Sequence, residues 1–554
     1  MTTRRGFIQG GLAAMLASGL RLPAMPAVRR RRQGGLLDLG QPPDWVRAET
    51  ASGAVPLPAA AGSPARFAGS GVEVTSSAGR LALAASVPVA RLYFRWTADL
   101  SGTRLVMGDA WERGYGDLAW RGFEPDRVMP WYVAAFDGRR TDGYGVRTGA
   151  GAFCWWQLDP AGVTLCADVR SGGVPVQLGG RRLHICEVIS RPGRDDESPF
   201  AALHAFCAAM CPAPRLPPAP VYGHNDWYYA YGNNSAATMR ADAERMAELS
   251  PAGRNRPFVV IDDGWQPGRG ASRARAGHWD RGNEKFPDLP GLLADVRRLG
   301  GRPGVWIRPL QAPDDAPDGW RLARDRGVLD PTVDAVRDKV AADFARLREW
   351  GFDLIKHDYS TWDLFGRWGF QMGSAITKDG WTFAEGPERT SAEVINDLYA
   401  TMRRAAGSSV VDGCNTVSHL SAGVFELCRI GDDTSGNEWA RTRRMGVNSL
   451  AFRGAQSGAF YAADPDIAPV TAGQPWALAA EWLDLVARSG TPCFVSLAAG
   501  AMGAEQKTAV RAALARAAVP QPLGEPLDWM GNEQPARWRL MGADRRYDWG
   551  YAQG

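Results

Sequence analysis

The chain has 554 residues, 45% of them hydrophobic and 22% charged, a balance that excludes an intrinsically disordered protein and a single ordinary domain. Its net charge of +4 comes from residues 1–33, which contain seven arginines and no acidic residue. Without them the chain has 57 basic and 60 acidic residues, so no basic surface for nucleic acid is predicted.

The first 33 residues predict a targeting segment. Thr3–Ile8 contains a twin arginine and is followed by an uncharged, moderately apolar run to Leu20. This pattern predicts a twin-arginine signal peptide and basic linker over 1–33, and therefore a periplasmic or secreted protein. The run is too short to span a bilayer permanently, and no later segment has 18 unbroken apolar residues. No stable membrane insertion is predicted.

Cysteine and histidine spacing predicts no metal site. The eight cysteines include no CxxC pair, and the six histidines include no HxH or HxxxH pair. We expect buried structural thiols, with one or two disulfides left open for an exported protein. The sequence implies no cofactor and leaves the oligomeric state unknown.

Residues 34–211 predict a β-sandwich domain. Short segments such as Arg80–Ala84, Val89–Trp96 and Ala152–Trp156 alternate with glycine-rich turns. A helix is predicted over Phe200–Met210. Five prolines within 212–220 then mark a linker.

Residues 221–520 predict a (β/α)8 TIM barrel. Amphipathic helices ending before Gly300 and Gly351 alternate with apolar strands. A doubly wound sheet is the alternative, but no glycine-rich phosphate loop follows a strand. Residues 521–554 predict a short C-terminal β extension, with strand-like pieces at Ala536–Leu540 and Tyr547–Trp549. Candidate barrel strands begin near Val221, Phe258, Val305, Leu354, Val410, Glu426, Ala459 and Cys493.

Polar side chains follow the predicted barrel strands. Lys356 and Asp358 share one face of the strand that starts near Leu354, and the cation would keep the acid ionised, as a carboxylate nucleophile requires. In a barrel, the carboxyl ends of the strands converge on one pocket. Acids in such a pocket, in a chain with 22 tryptophans, favour sugar chemistry by paired carboxylates. The other residues predicted there are Asp262, Asp263, Arg308, Asn415, Arg429, Asp432 and Asp433.

Several motifs in chain order resemble the retaining α-galactosidases of glycoside hydrolase families 27 and 36, including the raffinose-synthase and seed-imbibition branch. Each motif alone is weak, but together they span residues 221 to about 470. The segments are 225–229 (NDWYY), 261–266 (IDDGWQ), 283–288 (NEKFPD), 304–309 (GVWIRP), 356–358 (KHD), 429–434 (RIGDDT) and 464–466 (DPD).

The resemblance implies a role for each matching residue. Asp358 matches the nucleophile and Asp432 the general acid/base, with Asp433 as the alternative. Asp262 and Asp263 match the pair that binds sugar hydroxyls. Further substrate-binding residues implied are Lys356, Arg429, Asn415, Arg308 and the candidate pocket walls Trp227, Trp265 and Trp306.

The predicted function is therefore an exported retaining α-glycosidase acting on oligosaccharides or glycosides, most similar to an α-galactosidase. Arg308 stands where many relatives have an acid. The acid/base segment lacks the serine that relatives have before the aspartate pair and the further aspartate that they have after the threonine. Both departures bear on which sugar is bound. A raffinose-synthase-type transglycosylase, an inactive carbohydrate-binding protein and a metal-dependent hydrolase are the alternatives. Each motif also has a structural explanation: a turn at Asp262 and Asp432, an ion pair at Lys356, packing at His357, and bracing at Asp464–Asp466.

Overall fold

The structure, a computed structural model, describes residues 37–268 and 277–550. The predicted signal segment, 1–33, lies outside the described residues. None of the described helices is long and apolar enough to cross a membrane.

The N-terminal part consists of two antiparallel sheets. Alternating burial in its strands, as at Val72 and Val74 on either side of Glu73, gives each sheet an apolar inner face. Buried side chains from both sheets, including Trp96 and Tyr144, belong to one hydrophobic cluster. The strands are β1 (Trp45–Thr50), β2 (Gly53–Leu57), β3 (Ala59–Ala60), β4 (Ser63–Gly69), β5 (Val72–Ser77), β6 (Arg80–Ala85), β7 (Val89–Thr97), β8 (Leu105–Gly108), β9 (Met129–Pro130), β10 (Tyr132–Phe136), β11 (Thr141–Val146), β12 (Phe153–Asp159), β13 (Gly162–Asp168) and β14 (Leu183–Arg191).

The strand order is β2-β1-β7-β13-β12-β9 in one sheet and β3-β4-β5-β6-β14-β11-β10-β8 in the other. Helix α1 (Pro199–Met210) follows, as predicted. It starts at Pro199 because the Ser198 side chain accepts a hydrogen bond from the Ala201 amide, which caps the helix N-terminus. The ring of Phe206 in this helix lies over Gly143, where a Cβ would meet it at 2.5 Å.

A curled parallel sheet forms the second part. Its order is β23-β22-β21-β20-β17-β16-β15-β25-β24, and all of its pairings are parallel. The first strand of this sheet in the chain, β15, pairs with the last, β25. The strands at the two ends of the order, β23 and β24, are consecutive in the chain. The strands are β15 (Tyr222–Asn225), β16 (Phe258–Ile261), β17 (Arg302–Ile307), β20 (Leu354–His357), β21 (Val410–Gly413), β22 (Leu427–Arg429), β23 (Ala462–Asp464), β24 (Ala468–Val470) and β25 (Cys493–Leu497); β18 (Arg321–Leu322) and β19 (Asp325–Leu329) form a separate hairpin.

Helices separate these strands, and the two predicted from their apolar period are confirmed as α4 and α5. Helix α5 ends where Gly351 adopts φ 105°, a left-handed conformation that favours glycine. The short interval between β21 and β22 contains only the four-residue α9. The helices are α2 (Trp227–Ala230), α3 (Ala236–Leu249), α4 (Leu289–Arg298), α5 (Asp334–Trp350), α6 (Ser360–Phe365), α7 (Gly369–Met372), α8 (Ser391–Ala406), α9 (Ser418–Ser421), α10 (Trp439–Thr442), α11 (Asn448–Arg453), α12 (Trp476–Arg488) and α13 (Ala504–Ala517).

The C-terminal extension is a small antiparallel sheet of β26 (Glu525–Pro526), β27 (Arg537–Leu540) and β28 (Ala543–Arg546). The prediction of a strand-like piece at Tyr547–Trp549 is wrong, because β28 ends at Arg546. The Tyr547 and Trp549 rings instead stack at 5.2 Å, and the Trp549 carbonyl accepts a hydrogen bond from the Trp439 indole. The extension is therefore fastened to the parallel sheet's helices.

Candidate active site

The carboxyl ends of β15, β16, β17, β20 and β22 bring polar side chains together. Each of these strands is a short buried run, so its backbone is fixed by pairing and its last residues face the same end of the sheet. Asp262 accepts hydrogen bonds from side chains on two other strands of the sheet. One of its carboxylate oxygens, Oδ2, accepts from Lys356 Nζ at 2.7 Å and from Asn225 Nδ2 at 2.8 Å.

Lys356 remains a cation in this setting. Burial alone would lower the pKa of its ammonium group, but Asp262 and other nearby acids, Asp358 among them, raise that pKa well above its usual value. The lysine two residues before Asp358 thus pairs with Asp262 and also interacts electrostatically with Asp358.

Asp358 is held by two donors at the end of β20. Its Oδ2 accepts from the Trp306 indole nitrogen at 3.0 Å, and its Oδ1 accepts from the Tyr359 amide at 2.8 Å. Tyr359 has φ 66°, a left-handed backbone conformation that is uncommon for a tyrosine. The carboxylate is half-buried. Its orientation is fixed while part of its surface stays open, which suits an attacking group.

Asp432 and Asp433 lie among three arginines. Arg113 Nη2 is 2.9 Å from Asp432 Oδ1, and Arg441 Nη2 is 2.7 Å from Asp432 Oδ2. Asp433 Oδ1 pairs with Arg113 at 3.3 Å and with Arg429 at 3.2 Å. Burial alone would raise the pKa of Asp433, but the surrounding cations, chiefly Arg113 and Arg429, outweigh it and hold the pKa at about 2. Asp433 is therefore ionised at neutral pH.

Arg113 comes from the N-terminal part of the chain. The segment between β8 and β9 reaches the end of β22, where Gly114 forms a parallel bridge with Gly431. The Gly114 amide donates to the Ile430 carbonyl at 2.8 Å, and the Asp432 amide donates to the Gly114 carbonyl at 2.8 Å. A side chain at Gly431 would lie 2.6 Å from Ser449 Oγ in α11, so the packing of this segment against α11 requires glycine.

Glu112, beside Arg113, is fully buried. It accepts hydrogen bonds from Tyr115 and, at 2.8 Å, from Asn415 Nδ2. Burial raises the pKa of Glu112 to about 7, although the adjacent Arg113 opposes the shift. Glu112 thus connects the N-terminal segment to the end of β21 and titrates near neutral pH.

Two buried acids, Asp464 and Asp466, lie next to the Arg429 side chain. Asp466 Oδ1 lies 2.9 Å from Arg429 Nη1, and its other oxygen accepts from the Thr434 amide at 2.6 Å and from Tyr228. Burial raises the pKa of the nearby Asp464 to about 6, with Arg429 opposing. These contacts agree with the prediction that Asp464–Asp466 braces the site.

Four other predicted binding residues differ in exposure. Trp265 has no exposed surface and donates to the Trp306 carbonyl at 2.9 Å, so it holds the Trp306 backbone and does not line a pocket. Asn415 is fully buried, with its side chain bonded to Glu112 and the Trp362 amide. Arg308 pairs with Asp363 at 2.6 Å, whereas Trp227 is half-buried.

The prediction that His357 is packed is confirmed. Its ring is fully buried among Phe344, Tyr399 and Phe425. Burial lowers its pKa to about 3, so it is neutral. The eight thiols are likewise buried and none is in a disulfide. Within 37–268 and 277–550, no group of His, Cys, Asp or Glu side chains is arranged to hold a metal ion.

Glu112, Arg113 and Arg441 were not predicted from the sequence to lie at this site. Arg113 and Asp433 are 320 positions apart, and no strand or helix period connects them. The available signal was local: residues 111–116 (WERGYG) place two charged side chains beside two glycines, an unusual composition for a solvated turn. Arg441 lies in α10, nine residues after Asp432.

Comparison with known proteins gives the same resemblance as the motifs. No protein-family model matches the chain. A curated α-galactosidase from Escherichia coli is 35% identical over 102 residues, which are 18% of this chain and only 14% of that protein. An α-galactosidase from Thermus thermophilus, solved with p-nitrophenyl α-D-galactopyranoside, has a TM-score of 0.58 at 16% identity and covers 91% of this chain and 99% of its own.

A family 36 α-galactosidase from Geobacillus stearothermophilus has a TM-score of 0.58 at 13% identity, covering 89% of this chain and 79% of its own. At these identities the likeness establishes the fold. The chain is folded like the α-galactosidases of family 36, which confirms the resemblance inferred from its motifs.

Proposed function

We propose that the protein is a retaining α-glycosidase that hydrolyses α-galactosides by double displacement. The observation that supports this most directly is the fixed carboxylate of Asp358, bonded to Trp306 and Tyr359, at the same end of the sheet as the Asp432 and Asp433 pair. The scaffold proposed is a β-sandwich (34–211), a linker (212–220), a (β/α)8 barrel (221–520) with its seventh strand split into β23 and β24, and a β extension (521–554).

Asp358 would attack the anomeric carbon while a protonated Asp432 gives its proton to the leaving oxygen. The covalent glycosyl ester would then be hydrolysed by a water that Asp432, now ionised, deprotonates. Asp432 is proposed because its position matches the acid/base of the family motif. Asp433, whose pKa the surrounding arginines hold at about 2, has no proton to donate at neutral pH.

Lys356, Asp262 and Asp263 would bind the hydroxyls of the sugar in the site. The charge of Arg308 is balanced by Asp363, so its presence is compatible with a neutral hexose. Solved complexes of the similar proteins contain stachyose and raffinose, and we propose α-galactosyl oligosaccharides of this class as substrates. Export by a twin-arginine signal is proposed from residues 1–33.

The test is turnover of a panel of p-nitrophenyl α- and β-glycosides by wild type, Asp358→Asn and Asp433→Asn. We expect only an α-glycoside, the galactoside, to be cleaved. Asp358→Asn should lower kcat at least about a thousandfold, because a neutral amide is not a nucleophile.

Product stereochemistry and acceptor use complete the test. Initial release of the α-anomer, seen by proton NMR, is expected for double displacement, and release of the β-anomer would contradict it. Transfer to added sucrose in preference to water would identify a transglycosylase. Binding without any turnover would identify a carbohydrate-binding protein.

A further inference from the structure

The N-terminal part of the chain contributes an arginine to the machinery of the parallel sheet. Arg113 is almost wholly buried, with 6% of its side chain exposed, and its two terminal nitrogens face Asp432 and Asp433. Its backbone is fixed as well, through the Gly114 bridge to Gly431.

The two cations on Asp432 differ in exposure. Arg441 approaches the other carboxylate oxygen, but 37% of its side chain is exposed, and within residues 37–268 and 277–550 Asp432 is the one acid that its guanidinium pairs with. An exposed ion pair of this kind contributes little to stability and is easily exchanged for water or ligand. Arg113 is much less exposed, at 6% of its side chain, and Trp368 lies 5.7 Å from its guanidinium carbon.

Resting on the proposed function, we infer that Arg113 is the positioning residue of the acid/base: it holds Asp432 Oδ1 in place and leaves Oδ2 as the oxygen that exchanges protons. Oδ2 takes a proton from solvent once Arg441 moves aside, and gives it to the glycosidic oxygen as the bond to the sugar breaks. It then takes one proton back from the attacking water, so the proton balance closes over the cycle.

The geometry assigns this role to Arg113 rather than a purely structural one. An arginine that only joined the two parts of the chain would not need to contact the carboxylates of both Asp432 and Asp433. Proton transfer depends steeply on the distance and angle between carboxyl and leaving oxygen, and a displacement of about 1 Å can cost about a hundredfold in rate.

The experiment compares wild type, Arg113→Gln and Arg113→Lys on two substrates of different leaving-group ability. Raffinose has a sugar leaving group that needs protonation, whereas 2,4-dinitrophenyl α-galactoside has one that does not. We expect Arg113→Gln to lose at least about tenfold in kcat on raffinose and less than about threefold on the dinitrophenyl substrate. Arg113→Lys, which keeps the charge, should recover part of the loss.

A second readout is the pH profile of kcat/KM on raffinose. A guanidinium favours the ionised form of a carboxyl beside it, so its removal lets the carboxyl keep its proton to higher pH. The alkaline limb of Arg113→Gln should therefore move to higher pH even as the maximum falls. Loss of structure alone would lower the profile without moving this limb.

Arg95→Gln is the matched control. Arg95 is another buried arginine of the N-terminal part, and it pairs with Asp159 at a distance of 2.7 Å, outside the candidate active site. Equal losses on both substrates, or an unmoved alkaline limb, would overturn the inference and leave the proposed function standing. If wild type cleaves neither substrate, the proposed function fails, and the assignment of Arg113 to an acid/base is overturned with it.

Discussion

At the scale of single residues, the buried pair of Lys356 and Asp262 sets the first prediction. Their 2.7 Å contact lies where both side chains are excluded from water. Lys356→Met leaves the Asp262 carboxylate buried without its cation, and we expect the free energy of unfolding to fall by about 3–5 kcal/mol.

Urea denaturation of the two single variants and the double variant checks this. Asp262→Asn should cost less in the Lys356→Met background than in the wild type, because the uncompensated charge has been removed. Additive losses would show that the two groups do not interact.

Glu112 predicts a pH-dependent stability. The pKa of this glutamate is about 7 in the folded protein against an ordinary 4.5. Between these values the unfolded chain releases a proton that the folded chain retains, so folding stability falls as the pH rises through this window. Glu112→Gln has no such proton. Its free energy of unfolding, relative to that of the wild type, should therefore rise by up to about 3 kcal/mol as the pH goes from the lower to the upper end of this window.

Denaturant midpoints of both proteins, measured across the window, provide the test. Glu124→Gln, an exposed position of the same segment, is the control. Parallel curves for wild type and Glu112→Gln would contradict the raised pKa.

At the scale of elements, the packing of the segment after β22 against α11 depends on Gly431. A Cβ there would lie 2.8 Å from Ser449 Cβ and 3.0 Å from the Met445 carbonyl oxygen. Gly431→Ala should therefore cost about 1–3 kcal/mol in stability through overpacking.

Gly431→Ala should also reduce turnover, since the backbone that holds Asp432 shifts. Gly122→Ala is the control, because a Cβ at Gly122 meets nothing within 4 Å. Thermal melts and turnover of the proposed substrate measure both effects, and a Gly431→Ala variant indistinguishable from Gly122→Ala would contradict the close approach.

Elements with a clear period were predictable from the sequence, and contacts between distant elements were not. Helices α4 and α5 follow from apolar spacing and glycine stops, and β16 and β20 from apolar runs that end in acids. Strand β24 was missed because three residues carry no period. Arg113 was missed because its position follows from how two sheets pack, which no local pattern encodes.

Within the site, sequence order located the carboxylates but not their surroundings. Asp262, Lys356 and Asp358 were placed together because parallel strands bring their ends to one side. Whether a tryptophan lines a pocket or lies behind it depends on packing depth, and Trp265 shows the difference, since its ring is fully buried.

At the scale of the whole molecule, Arg453 joins the two parts of the chain. Its fully buried guanidinium pairs with Asp109 at 2.8 Å and donates to the carbonyls of Glu112 and Ile430. Arg453→Met should lower stability by about 3–5 kcal/mol, because Asp109 and two carbonyls lose their buried partner.

The exposed pair of Arg511 with Glu248 is the contrast, and Arg511→Met should cost less than about 1 kcal/mol. Calorimetry of both variants checks the difference. Separate melting of the two parts in the wild type would contradict the joining role of Arg453.

The eight enclosed thiols have a consequence for how the protein meets oxidants. Thiol chemistry with an external reagent needs access to the sulfur, and burial denies that access to all eight cysteines. A chain that is fully folded before it reaches an oxidising medium offers that medium no sulfur to cross-link, and oxidised glutathione or dissolved oxygen should leave it unchanged for as long as it stays folded. The rate at which its cysteines are alkylated would then report how often the fold opens, because a buried sulfur reacts only when it becomes exposed.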